Sequence, residues 1–433
     1  MQNVAEAGRG LRVLIVAENI SLNQSGETSV PYNYLERFHA MGLDVQAICH
    51  ARVRDDLRAT MAPELFERIG FVEDTALQRW LHAFGKRFPY RIEDLIFNQL
   101  IYLVTQRRLR GRAIEIVRER SIDVVLQPVP ISPKTPSFMY GLGVPVVIGP
   151  MCGGLELPPG FRHLDSRFTT LAIKVARWLT PILHMWAPGK KEAAALLVGN
   201  QRTARALPAG VTGTIHEVVE SGAVLDRWEP KVYPAPQCDT VRFVFVGRLV
   251  DWKGAQYLVK AFARIAGKGG MHLDLVGDGE LLEEIRASVT RLGLDETVTV
   301  HGRVPLERSI ELMRDADVYV KPSLRECGGL ALLDAMALGL PIIACNWMGP
   351  AEYLTPESGI LVDPDSEEAL VSGLASAMLR LAESPDLRRR LGEGAKARVH
   401  AGLFGWGKKS ARVAEVLHEV AAAGRTNRKD RAA

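Results

Sequence analysis

The stretch RECGGLALLDAMALGLP, residues 325–341, sets Glu326 just before the pair Gly328-Gly329 and Asp334 two turns later. It follows VYVKPSL directly, so strand, loop and helix come in order. A helix begun by two glycines lets backbone N–H groups approach an anion closely, and the helix dipole favours negative charge there. A diphosphate fits that description. Side chains on a helix tilt toward its N-terminus, so Asp334 on the second turn reaches back toward whatever the N-terminus holds. Carboxylates only accept hydrogen bonds, which suits them to sugar hydroxyls and not to the phosphates themselves. The plain alternative is an ordinary helix start with solvated acids favoured by the dipole.

VFVGRLVDWKG, residues 244–254, is a second strand running into a glycine turn, and it presents Arg248 and Lys253 just past the strand end. A guanidinium and an ammonium five residues apart in one loop can clamp two phosphates. A solvated basic turn would read the same way. VGDGE at 276–280 carries a Gly-x-Gly turn that serves equally as strand punctuation.

These loops need a scaffold that aims them at one point. Short apolar runs (LRVLIVAE, DVQAICH, DVVLQPV, PVVIGPM and ALLVGN, then VRFVFVG, HLDLVGDG, VTVHG, VYVKPS, PIIAC and GILVD) alternate with amphipathic segments. That rhythm predicts an α/β protein with parallel sheets covered on both faces. Proline-rich DRWEPKVYPAPQCDT, 226–240, reads as a linker. The expected organisation is therefore a first domain over 1–225, the linker 226–240, a second domain over 241–405, a helix over 406–423 that packs back on the first domain, and a flexible tail over 424–433. Two doubly wound, Rossmann-like domains leave a cleft, and ligands in such sheets sit beyond the carboxyl ends of the strands.

Composition narrows the class. The 433 residues are 47% hydrophobic and 24% charged, within the globular range, and 54 Lys+Arg against 50 Asp+Glu leave a formal charge of +4, too small to imply nucleic acid. Five cysteines are scattered without a C-x-x-C pair, which fits free thiols in a reducing cytoplasm and offers no metal motif. Neither a signal peptide nor a spanning helix is expected.

In the second half, VGRLVDWKG, LVGDGE, VTVHGRV, ADVYVKPSLRECGGLALLDAMALGLPIIA and ESGILVDP occur in an order that resembles the retaining glycosyltransferases of family 4. The resemblance implies a GT-B fold with two doubly wound Rossmann-like domains facing a cleft, and a nucleotide-diphosphate sugar as co-substrate without a metal or other cofactor. It implies that Arg248 and Lys253 bind the donor diphosphate, that Glu326 contacts the transferred sugar, and that Asp334 holds the ribose. Gly247 and the backbone of Gly328, Gly329 and Leu330 would support phosphate and sugar, with Arg303 and Val304 near the base. Asp334 departs from the family pattern, which has Glu there; the carboxylate survives on a shorter arm. In the first half the likeness is looser: Ser25-Gly26 after the first strand resembles the glycine loop that faces donor and acceptor, Gly153-Gly154 supplies another pair, and Gln127 stands where many relatives carry a histidine.

Retention implies front-face transfer, in which the departing diphosphate takes the acceptor's proton. The expected function is hexosyl transfer from a UDP- or GDP-sugar to a saccharide or lipid-linked acceptor in polysaccharide or glycolipid assembly. The alternatives are a decayed nucleotide-sugar-binding subunit or a sugar-nucleotide epimerase of similar architecture. Residues 79–120 hold ten Lys+Arg against four acids, interleaved with six aromatic residues, and 174–191 has a similar character. Both predict contact with an anionic membrane surface, placing the protein in the cytoplasm on the inner face of the membrane.

Overall fold

Strands form where the apolar runs are, because residues buried on both faces of a parallel sheet need no polar alternation. The computed structural model describes residues 10–24, 26–88, 93–165, 180–223, 225, 240–402 and 404–432. The chain divides into two units, the first comprising Met1–Gly154, Ile173–Glu220 and Trp406–Ala433, the second Leu155–Ala172 and Ser221–Gly405.

The first unit holds β1 (Arg12–Val16), β2 (Asp44–His50), β3 (Ile69–Val72), β4 (Val124–Gln127), β5 (Val146–Met151), β6 (Ala195–Val198) and β7 (Thr214–Glu217). All pair in parallel, in the order β3-β2-β1-β4-β5-β6-β7. β1 meets β2 through Arg12↔Asp44 and β4 through Val13↔Val124, so the order reverses beside β1. Val13 to Val16 are fully buried. Leu109, Ala113 and Ile116 of the helix Gln99–Arg120 pack on Leu14, Val16 and Ile48.

The second unit holds β8 (Val241–Val246), β9 (Met271–Val276), β10 (Val298–Gly302), β11 (Val318–Lys321), β12 (Ile342–Cys345) and β13 (Gly359–Val362). Their order is β10-β9-β8-β11-β12-β13, again all parallel. Its topological reversal lies between β8 and β11, which pair through Val318↔Phe243 and Tyr319↔Val244.

The observed boundaries differ from those expected in sequence. Residues 155–165 belong to the second unit, not the first. Phe161 is fully buried in the second core and meets the Tyr257 ring edge-on at 5.3 Å. Trp347 Nε1 donates to the Glu156 carbonyl at 2.9 Å, and a methyl group on Gly160 would lie 2.0 Å from the Asp365 carbonyl oxygen. Residues 226–239 of the expected linker lie outside the described residues. The helix Trp406–Ala432 belongs to the first unit, where Trp406 sets its ring at 90° to Tyr34 at 5.4 Å. Its backbone continues through the segment expected to be a flexible tail: Gly424 lies against Pro145, and Arg425 Nη1 is 3.5 Å from Asp123 Oδ1.

Candidate functional site

The expected residues of the second unit lie on loops at the carboxyl ends of β8, β10 and β11, except Leu330 and Asp334, which belong to the helix Leu330–Ala337 that follows β11. Gly247 and Arg248 leave β8, and the short turn Asp251–Lys253 then brings Lys253 up before the helix Ala255–Ala263. Gly254 closes that turn at φ +78°, with its α-carbon against the Pro322 carbonyl; a methyl there would sit 2.2 Å from the oxygen. Glu326 lies in the loop after β11, and the helix Leu330–Ala337 follows from Gly329 at φ +87°. Gly329 supplies no side-chain cap to that helix, and Leu332 and Leu333 donate to the Gly329 carbonyl, which leaves the N–H groups of Leu330 and Ala331 at a dipole's positive end.

Lys253 Nζ is 2.5 Å from Glu326 Oε2, and Lys321 Nζ is 3.1 Å from the same oxygen. The side chains are 17%, 3% and 11% exposed for Lys253, Lys321 and Glu326. Burial alone would raise the Glu326 carboxyl, but Lys321 and Lys253 outweigh it and hold the group down at about 2. Lys253 is pushed below the ordinary lysine range, first by burial, then by Lys321, with Glu326 opposing. One carboxylate between two ammoniums leaves this buried group a net positive charge, beside an uncapped helix start. Such an arrangement holds an anion.

Glycine makes the approach of these elements feasible. Gly329 holds φ +87°, where a side chain would be strained, and a methyl on Gly247 would lie 3.2 Å from the Phe245 ring. One on Gly328 would enter the Tyr353 ring, 2.2 Å from its hydroxyl oxygen. The Gly-x-Gly turn serves backbone packing: a methyl on Gly277, at φ +143°, would meet the Gly247 carbonyl oxygen at 1.8 Å.

Sequence reasoning missed Lys321. At the last position of a buried strand, before Pro322, it reads as punctuation; its burial beside a carboxylate is a tertiary fact. Asp334 is buried at 7% exposure, and its charge and that of Glu326 add to burial in raising the Tyr319 hydroxyl well above its ordinary range. Arg248 and Arg303 are exposed and Val304 is half-buried. Arg248 makes no ion pair among the described residues. The structure thus brings Lys253, Glu326 and the glycine turn together, and sets Arg248, Arg303 and Val304 on loops at the same end of the sheet.

Gly26 opens the helix Gly26–Ala40 in the first unit, exposed and with open space around its α-carbon. Ser25 lies outside the described residues. Glu27, next in line, accepts a hydrogen bond from the Ile131 N–H at 3.2 Å, tying the helix start to the loop after β4. Gln127 is not a free counterpart to a histidine. It is fully buried, accepts from Ser137 Oγ at 2.5 Å and donates to Gln106 Oε1 at 3.0 Å, so its amide is consumed by the core. Gly153 is likewise internal: its N–H donates to Thr203 Oγ1 and its carbonyl accepts from Arg202 Nε.

Residues 231–398 match the family model described as glycosyl transferases group 1. The D-inositol 3-phosphate glycosyltransferase of Segniliparus rotundus is 34% identical over 168 residues, 37% of this chain and 36% of that one. An uncharacterised glycosyltransferase of Methanocaldococcus jannaschii is 32% identical over 184 residues, 41% of this chain and 45% of that one. The chain thus spans less than half the length of these curated relatives. Among solved structures, Anabaena HepE in complex with UDP superposes with a TM-score of 0.62 at 15% identity, covering 94% of this chain and 100% of that one. Sucrose-phosphate synthase from Thermosynechococcus elongatus gives 0.64 at 18% identity, covering 95% and 100%. The chain has the two-sheet GT-B fold, and the match to the glycosyl transferases group 1 model falls on its second unit.

Proposed function

We propose that this protein is a retaining glycosyltransferase that moves a hexosyl group from a nucleotide-diphosphate sugar to a saccharide or lipid-linked acceptor. The Lys253–Glu326–Lys321 group beneath an uncapped helix start carries the reading. HepE has been solved with UDP and with UDP-glucose, which supports a UDP-sugar as donor.

Before donor binding the two ammoniums neutralise Glu326. An arriving diphosphate, with more charge than one carboxylate, competes for Lys253 and gains Arg248 and the N–H groups of Gly329 and Leu330. Glu326 is then free to accept hydrogen bonds from sugar hydroxyls while Lys321 keeps it ionised. Asp334 serves the ribose, with Arg303 and Val304 beside the base. In the transfer step the bond from the anomeric carbon to the diphosphate oxygen breaks, and the acceptor oxygen bonds to that carbon on the same face. The acceptor's proton passes to the departing diphosphate. Arg248, Lys253 and the helix start stabilise the charge that develops on it, a term that preorganised donors supply most strongly. Two carboxylates spaced as nucleophile and acid are not needed for this route.

Thermal stability against UDP, GDP, ADP and TDP with their common sugars tests the reading. A ligand at about 100 times its Kd adds roughly 2.7 kcal/mol to native-state stability. The expected result is a selective upward shift that Arg248→Ala and Glu326→Ala reduce. Absence of a shift with every nucleotide, in folded protein, overturns it.

A further inference from the structure

The helix Ala76–Gly85 carries more aromatic surface than the first unit's core uses. Trp80 stacks on Phe84 at 5.2 Å with planes 8° apart, Phe84 meets Phe88 at 5.5 Å, and Phe88 stacks on Phe97 at 5.2 Å. Trp80 is 57% exposed, and Ile96 and Leu100 extend the apolar surface at 49% and 43%. Single exposed apolar residues are ordinary, whereas a contiguous ladder of rings marks a surface that something covers.

Charge indicates what covers it. Between Asp74 and Glu93 the sequence has Arg79, Lys86, Arg87 and Arg91 and no acid. The Arg87 guanidinium lies 5.6 Å over the Phe84 ring, so cation and ring share one face. A second apolar run, with Met185 69% and Trp186 76% exposed, is fastened to the same end of the unit. His184 Nε2 is 3.2 Å from the Lys134 carbonyl oxygen, and Tyr102 Oη donates to the Pro136 carbonyl at 3.2 Å. That loop leaves the carboxyl end of β4, and the Ala76–Gly85 helix follows the carboxyl end of β3. Among the described residues no helix is long and apolar enough to cross a membrane.

We propose that this surface docks the first unit on an anionic lipid bilayer: the rings enter the interfacial layer, and Arg79, Lys86 and Arg87 bind the headgroups. Aromatic residues with one wet edge settle at that depth, and long basic side chains reach the phosphates from it. Because the patch borders the carboxyl ends of β3 and β4, where ligands of such sheets bind, it brings the polar head of a membrane-held acceptor to the unit. Only this last consequence rests on the transferase reading.

Flotation of the full-length protein with vesicles of phosphatidylcholine, with and without phosphatidylglycerol, tests the docking. The protein is expected to float with the anionic vesicles and to be released by salt. Each basic residue near an anionic surface is worth about 1 kcal/mol, so Lys86→Gln with Arg87→Gln should weaken partitioning roughly 30-fold. Trp80→Ala with Phe88→Ala should abolish it while circular dichroism stays unchanged. No flotation with any vesicle, or equal flotation with neutral ones, overturns the proposal. So does a concentration-dependent dimer that the aromatic variant dissociates, since the patch would then belong to a second copy. The nucleotide-induced shift, measured on the same variants, should persist; its absence in the parent protein would count against the transferase reading alone.

Discussion

Two ammonium groups share one oxygen of Glu326, and each residue of the trio answers differently to substitution. Glu326→Gln leaves two buried cations without a counter-charge; breaking a buried pair costs roughly 3 kcal/mol or more. Adding Lys321→Met to that variant should recover much of the loss, which paired melting experiments would show. The pH dependence has a definite sign. The Glu326 carboxyl is held at about 2, below its ordinary 4.5. Its contribution is therefore fully present above about 4.5 and is lost as pH falls toward 2. Glu326→Gln should flatten the acid limb in that window; an unaltered limb would show that the lysines do not hold the carboxylate. Glu326 and Lys253 were legible in sequence because glycine turns follow or flank them. Lys321 was not, because only the fold reveals that its amine turns toward Glu326. Gln127 was legible as a position, but its use by Ser137 and Gln106 depends on residues distant in sequence.

At the scale of elements, the turn that carries Glu326 is clamped from behind. The Gly349 N–H donates to the Glu326 carbonyl at 3.2 Å, and any β-carbon on Gly349 would overlap the Cys327 carbonyl oxygen. Gly349→Ala should cost roughly 1–3 kcal/mol, the range for overpacking, and should displace the 326–329 turn. Nucleotide affinity should fall with it while affinity for anionic vesicles does not, a contrast that titration and flotation measure separately. The strands of the second sheet and five of the first were legible as short apolar runs such as VVIGPM, whereas β3 (IGFV) and the largely exposed β7 (TIHE) carry too little apolar signal to stand out. The allegiance of residues 155–165 was not legible either. Their partners Tyr257, Asp365 and Trp347 lie about one to two hundred positions away, and no local periodicity encodes them.

For the whole molecule, the chain leaves the first unit twice and returns with Trp406–Ala432. Lys409, fully buried, donates from Nζ to the Glu220 carbonyl at 3.1 Å and lies 3.5 Å over the Trp406 ring. Burial pushes that amine down to about 7, with Glu220 opposing. Truncation after Gly405 uncovers Tyr34 and removes this anchor. The first unit should then lose its cooperative melting, followed by its tyrosine environment, while the nucleotide-induced stabilisation of the second unit remains. Retention of the full transition would show that the helix is dispensable.

That return has a consequence during synthesis. The ribosome makes most of the first unit before any of β8 to β13, yet the segment that covers Tyr34 emerges only after β13. The early-made sheet must therefore wait, with part of its apolar face unsealed, until the second unit has been translated. A nascent chain arrested before residue 406 should bind a chaperone that shields apolar surface, and completion of the last helix should release it.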